Sequence, residues 1–254
     1  MPGSAGTVAQ MWRYPVKSMG GERITVAELS EHGIAGDRTR AVFDVTAGKL
    51  LSAKKEPRLL LATARTCPSE GVLVTLPGQA ELSVDDPELT TRLSDWLDRK
   101  AELVQPVAGM SAVFEKPDPE DESLAKDLST QPGLFFDTKS TLHVLTTSSL
   151  RAARLLHPDG DWDVRRFRPN IVVRTVGHGY PEESWTGRTI RIGDATAWVR
   201  KPTPRCAMTT REQRGLPADR EIHRVLARHR KNVLGALVHP EGTARLLVGD
   251  PVVA

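Results

Sequence analysis

Cys206 has the widest chemical reach of any residue in this chain. It lies in Lys201-Pro202-Thr203-Pro204-Arg205-Cys206-Ala207-Met208-Thr209-Thr210. The two prolines have no N–H to give to a β ladder, so the segment reads as a shaped loop leaving a strand. Arg205 beside the thiol favours the thiolate, the form that binds metal. A soft sulfur ligand suits a thiophilic metal centre. Taken alone, the segment also fits an inert, buried cysteine. Cys67, in Arg65-Thr66-Cys67-Pro68, has no comparable setting and reads as a bystander. With two cysteines in all, the chain cannot hold an iron–sulfur cluster or a structural zinc by cysteine alone, and a reducing compartment fits. A metal held through sulfur would use one thiolate and take most other ligands from a cofactor or water.

Two basic segments could bring an anion to such a centre. Tyr14-Pro15-Val16-Lys17-Ser18-Met19-Gly20-Gly21 is a stiff turn that carries an ammonium and a hydroxyl next to two glycines. Loops of this kind can present backbone N–H groups and a cation to an anion. Arg165-Arg166-Phe167-Arg168-Pro169-Asn170 packs three guanidiniums ahead of a strand. Arginine suits bidentate phosphate recognition, and asparagine suits the edge of a heterocycle. Singly, each segment also fits an ordinary solvated surface. Other motifs fail. Gly177-His178-Gly179 lacks a third glycine and a strand-to-helix setting. Asp159-Gly160-Asp161-Trp162-Asp163 begins like a calcium loop, but Val164 stands where glycine is needed and Asn170 where glutamate is needed. The histidines form no HExxH, and His223 and His229 read as exposed.

The elements that must position these residues are mostly short strands. Apolar and polar residues alternate at 23–29, 40–44, 59–64, 72–76, 81–84, 102–107, 141–145, 170–174, 189–192, 195–200, 234–239 and 243–248. Turn signals such as Pro77-Gly78 and Gly249-Asp250-Pro251 separate them. Three helices are expected: one after Asp86-Pro87 with Leu89, Leu93, Trp96 and Leu97 on one face, one over 148–156, and one over 218–230. The reading is a mainly β protein with few helices. Residues 108–136, acidic and broken by prolines at 117 and 119, read as a linker between modules 1–107 and 137–254.

Composition narrows the partners. The net charge of +3 is spread along the chain, and aromatics make up only 5%. A nucleic-acid interface would need a concentrated basic face with stacking rings, so none is expected. No stretch is long and apolar enough to cross a bilayer, so no membrane partner is expected. Residues 1–10 carry no secretion signal, which leaves a cytoplasmic setting as the expectation.

Together the segments resemble the MOSC proteins, preceded by the N-terminal β-barrel domain often found with them. The resemblance runs through Tyr14-Pro15-Val16-Lys17-Ser18, Gly33-Ile34-Ala35-Gly36-Asp37-Arg38, Glu56-Pro57-Arg58-Leu59, Phe167-Arg168-Pro169-Asn170, Arg205-Cys206-Ala207-Met208-Thr209-Thr210 and Val248-Gly249-Asp250-Pro251. It implies two β-barrel modules and a molybdopterin-type cofactor with molybdenum. Cys206 would be the metal ligand and catalytic residue. Lys17, Ser18, Arg38, Arg168, Asn170 and Arg205 would hold the cofactor, with Thr146 and Thr147 as additions. The implied activity is reduction of small N-oxygenated compounds, as in the amidoxime-reducing components. Electrons would come from a separate ferredoxin- or flavin-type protein. The alternative implied by the same family is a carrier of cofactor or sulfur without turnover. Pro204 stands where some relatives carry serine, which removes one hydroxyl from the cysteine loop.

Overall fold

The computed structural model describes residues 4–117, 125–130, 135 and 141–254. It is mainly β with three α-helices among the described residues, as expected. Seven strands close a barrel: β1 (Ser4–Arg13), β2 (Leu142–Thr146), β3 (Ile171–Arg174), β4 (Thr189–Ile192), β5 (Ala195–Pro204), β6 (Val233–Glu241) and β7 (Pro251–Val253). Around the ring the order is β3-β2-β6-β5-β4-β7-β1, and β1 pairs back onto β3. The β2–β3 pair is parallel, and helix α2 (Thr147–Leu156) begins the crossover between those strands. Side chains alternate along β5: Ala195, Ala197 and Val199 are buried, while Thr196 and Trp198 face out. Val8, Met11, Val144, Ile171, Val173, Ile190, Ile192, Val238 and Val252 help fill the interior.

β1 had no counterpart in the strand pattern read from the sequence. Its register shifts between Ser4 and Gly6 and again between Val8 and Gln10, and each irregularity resets the alternation that marks a strand. The 23–29 run is likewise two strands, Glu22–Ile24 and Val26–Ser30. The expected strand 59–64 is a 3₁₀ helix (Pro57–Leu61) followed by a strand (Thr63–Cys67). Pro57 opens the helix, and the adjacent Leu59 and Leu60 are both buried, which a half-buried strand would not allow. The prolines before Cys206 lie inside β5, which runs on to Pro204. Register shifts between Val199 and Lys201, and between Pro202 and Pro204, accommodate them.

The rest of the chain forms smaller sheets. Ala101–Val104, Ala41–Asp44, Lys49–Leu50, Val113–Pro117 and Ala125–Ser129 are neighbours in one; Thr63–Cys67, Gly71–Thr75 and Leu82–Ser83 form another. Helix α1 (Pro87–Leu97) lays Leu89, Leu93 and Leu97 onto their shared core. Asp86 caps it by accepting the Glu88 N–H at 2.9 Å. Helix α3 (Glu221–Arg230) begins three residues later than expected. Two links cross between the halves of the chain: β1 belongs to the barrel, and Val26–Ser30 pairs with Ala244–Leu247. Within the expected linker, Val113–Pro117 and Ala125–Ser129 pair as antiparallel strands, and Phe114 is in register with Leu50. Residues 118–124, 131–134 and 136 of that stretch lie outside the described residues. Among the described residues, no helix is long and apolar enough to cross a membrane.

Candidate cofactor site

The turn after β1 is clamped by the segment 37–40. The Tyr14 N–H donates to Asp37 Oδ1 at 2.7 Å, and the Tyr14 carbonyl accepts the Arg38 N–H at 2.7 Å. The Lys17 N–H donates to the Arg40 carbonyl at 2.8 Å. This clamp holds Ser18 at φ 72° and Arg38 at φ 53°; Arg168 is also left-handed, at φ 53°. Such a backbone is unfavourable for residues other than glycine and marks places where the fold overrides local preference. Those residues converge: Lys17, Ser18, Arg38 and Arg168 line one cavity of about 420 Å³, closed by Ser52, Lys54, Phe114, Ser129, Thr130, Phe135 and Met208.

Charge is concentrated there. Arg38 and Arg168 lie over the Tyr14 ring at 5.2 and 4.2 Å. The Tyr14 hydroxyl donates to the Pro169 carbonyl at 3.2 Å, and burial raises its pKa, so the ring stays neutral. Lys17 Nζ donates to the Phe135 carbonyl at 2.6 Å and sits 4.7 Å from the Phe114 ring. Burial, then the neighbouring Arg38 and Lys54, lower its pKa to about 8. Burial lowers Arg168 to about 10, and Arg38 and Arg205 push in the same direction. Arg205 is also lowered to about 10 by burial. Asp37 is paired with Arg38. Arg168 Nη2 and Arg205 Nε are shut off from solvent with no partner among the described residues. Buried, mutually repelling cations with unused donors are a preformed seat for an anion.

Cys206 is half-buried and extended (φ −140°, ψ 175°), and it opens a one-turn 3₁₀ helix, Ala207–Thr210. Its carbonyl accepts from the Thr209 N–H at 3.1 Å and the Thr209 hydroxyl at 3.0 Å. The turn carries Met208, two residues on, into the cavity wall. Arg205 is fixed on both sides. Its N–H donates to the Asn232 carbonyl at 2.8 Å, Asn232 Nδ2 donates to its carbonyl at 2.8 Å, and its Nη2 donates to the Phe167 carbonyl at 2.8 Å.

Other expected residues are placed differently. Asn170 is buried among backbone groups: its Oδ1 accepts the His143 N–H at 3.2 Å and Arg38 Nη1 at 3.4 Å, and its Nδ2 donates to the Trp12 carbonyl at 3.4 Å. It ties β1, β2 and β3 to Arg38 and positions the cation. Thr146 and Thr147 are not brought to the cavity. They lie toward the other end of β2 from His143, Thr146 being about 10 Å further along the strand. The Thr146 hydroxyl donates to Glu182 Oε2 at 2.7 Å, and the Thr147 hydroxyl donates to the Thr175 carbonyl at 3.2 Å. Cys67 contacts Ser69 Oγ at 3.3 Å. Arg166 is structural, donating to the carbonyls of Asp161 and Pro217, each at 2.7 Å. Missed from sequence were Ser52, Lys54, Phe114 and Asn232. Only Asn232, a left-handed asparagine just past helix α3 (φ 58°), had a local signal.

The fold and site together define a closed β-barrel protein with a cationic cavity whose wall includes Met208, on the turn opened by Cys206. Residues 5–105 match the MOSC N-terminal beta barrel domain, and residues 131–253 match the MOSC domain. The chain belongs to the MOSC family and carries that N-terminal domain. It is 27% identical to mitochondrial amidoxime-reducing component 1 of Mus musculus over 229 residues, 81% of this chain and 65% of the relative. It thus spans just under two thirds of that protein's length. Identity to mitochondrial amidoxime reducing component 2 of Macaca fascicularis is 25% over 292 residues, 97% of this chain and 83% of the relative. Among solved structures, the YuaD protein from Bacillus subtilis aligns over 97% of this chain and 93% of its own, with 10% identity and a TM-score of 0.49.

Proposed function

We propose that this protein binds a molybdopterin-type cofactor and uses it to reduce small N-oxygenated compounds, with electrons from a separate redox protein. The observation that carries this reading is the meeting of Lys17, Ser18, Arg38 and Arg168 around one cavity whose wall includes Met208, on the turn opened by Cys206. The donor set fits an anionic, phosphate-bearing group, because Arg168 Nη2 and Arg205 Nε are buried donors still lacking acceptors. When bound, such a cofactor supplies a metal centre able to exchange an oxygen atom and two electrons.

The chain's own residues then have separate tasks. Lys17, Arg38 and Arg168 neutralise the phosphate end. Ser18 lines the cavity and keeps the 52–54 segment in place, its Oγ accepting the Ala53 N–H at 3.0 Å. Arg205, bonded to Phe167 and Asn232, orients the loop that presents Cys206, the residue assigned as metal ligand. No cofactor role is assigned to Thr146 or Thr147. In the net reaction the N–O bond of a hydroxylamine or amidoxime breaks. Two electrons and two protons enter, and the amine or amidine leaves with water.

Protein from a cofactor-competent host is expected to contain molybdenum near one atom per chain and to reduce benzamidoxime with a chemical reductant. Cys206→Ala should lose turnover while remaining folded. Folded wild type without molybdenum refutes the reading. A persulfide on Cys206 without metal, seen by mass spectrometry, would instead identify a sulfur carrier.

A further inference from the structure

A second cavity of about 300 Å³ is lined by Tyr14, Gly20, Gly21, Leu60, Thr63, Arg165, Arg168, Gln213 and Arg214. Arg168 lines both cavities. No carboxylate is among the residues lining the second cavity, while three guanidiniums are. Arg165 is already neutralised by Asp163, at 2.9 and 2.8 Å. Arg214 is exposed, and its Nη1 contacts the Thr63 hydroxyl at 3.3 Å. Gln213 is 6% exposed, and its Nε2 is buried with no partner among the described residues.

Gln213 and Arg214 are held rigidly. Gln213 and Leu216 exchange backbone hydrogen bonds at 2.9 and 2.8 Å around Arg214-Gly215, with Gly215 at φ 73°. This turn follows the Ala207–Thr210 helix, so Cys206 and the wall of the second cavity belong to one continuous loop. A buried amide donor with no acceptor among the described residues, an exposed arginine at the rim and no acid in the lining are the chemistry of a carboxylate pocket. The volume is at the small end of ligand sites.

We infer that the second cavity receives the carboxylate of the substrate, so that the preferred N-oxygenated compounds are anionic. This inference rests on the proposed reductase reading. Its occupant is taken from the substrate rather than from the cofactor because the first cavity already offers Lys17, Arg38 and Arg168 to a cofactor phosphate.

The test compares benzamidoxime with 4-carboxybenzamidoxime in steady-state reduction. It also compares benzamidine with 4-carboxybenzamidine in calorimetric binding to the cofactor-loaded protein. One carboxylate meeting charge-assisted donors should tighten binding and raise kcat/KM about ten-fold. Arg214→Glu, at an exposed position, should shrink the preference to about two-fold or less, and Gln213→Leu should shrink it partly. Thermal melting checks that both variants are folded; if Gln213→Leu is not, Arg214→Glu alone decides. Equal binding of the two amidines to wild type, or an unchanged preference in Arg214→Glu, overturns the inference. Should neither amidoxime be reduced, the reductase reading fails, whereas the binding preference still reports on the cavity.

Discussion

Lys17→Met should stabilise the cofactor-free protein while weakening its hold on anions. The ammonium is buried beside Arg38 and Lys54, and its pKa falls from 10.5 to about 8. A difference of that size corresponds to roughly 3 kcal/mol of unfavourable folding free energy at pH 7. Methionine keeps most of the apolar length but gives up the 2.6 Å hydrogen bond to the Phe135 carbonyl and the contact with the Phe114 ring. Those losses offset about 1 to 2 kcal/mol. The variant should therefore be about 1 to 2 kcal/mol more stable at pH 7. The pH dependence gives the cleaner signature. Below pH 8 the lysine is charged in both folded and unfolded chains, and the full penalty stands. Between pH 8 and 10.5 the unfolded chain binds more protons than the folded one, so wild-type stability rises with pH. Urea unfolding of both cofactor-free proteins from pH 6 to 11 measures the difference, and other titrating groups cancel in the subtraction. The advantage of the variant should narrow from pH 8 upward, reach zero at about pH 9 and reverse above it. Millimolar inorganic phosphate should narrow it too, by stabilising wild type selectively. A variant less stable than wild type at pH 7, or a difference independent of pH, would refute the reasoning.

Further substitutions separate the site from its scaffold. Asp37→Ala removes the acceptor of the Tyr14 N–H and the carboxylate paired with Arg38, so a loss of about 3 kcal/mol is expected in denaturant titration, together with reduced molybdenum content. Gly235→Ala would set a Cβ 2.3 Å from His143 Nε2 and 2.8 Å from the Val144 carbonyl, on a backbone at φ 84°; unfolding by heat or urea should show a loss of about 2 kcal/mol or more. Glu182→Ala strips the Thr146 and Ser149 hydroxyls of their acceptor, bonded at 2.7 and 2.6 Å, and should cost about 2 to 3 kcal/mol. Glu182→Gln should be milder at neutral pH, since burial already raises the pKa of the carboxyl. Both Glu182 variants should keep their molybdenum per folded chain, by elemental analysis, because this cluster lies away from the cavity.

Much of the site was legible in the residues because its chemistry is carried by rare types in rigid local settings. A cysteine after two prolines, a lysine in a proline-stiffened turn and an arginine before Pro169 are visible as text. Their convergence is not. Lys17 reaches the Phe135 carbonyl across 118 positions, and Tyr14 reaches the Pro169 carbonyl across 155. Thr146 and Thr147 show the opposite case. Their hydroxyls could have served a ligand, but the end of β2 on which they fall puts them beside Glu182 and Thr175.

By itself, the sequence determined the mainly β character, the three helices with their apolar faces, and the residue types able to hold an anion beside a sulfur. These are properties of periodicity, capping and side-chain chemistry, all written within a few neighbouring positions. Only the tertiary structure decided that β1 closes the barrel, that the 113–117 segment walls the cavity, and which polar side chains keep a donor unspent. Bulges hide a strand from its own alternation, and a donor is free or committed according to partners more than a hundred residues away. Those outcomes depend on how the whole chain packs, which no local pattern records.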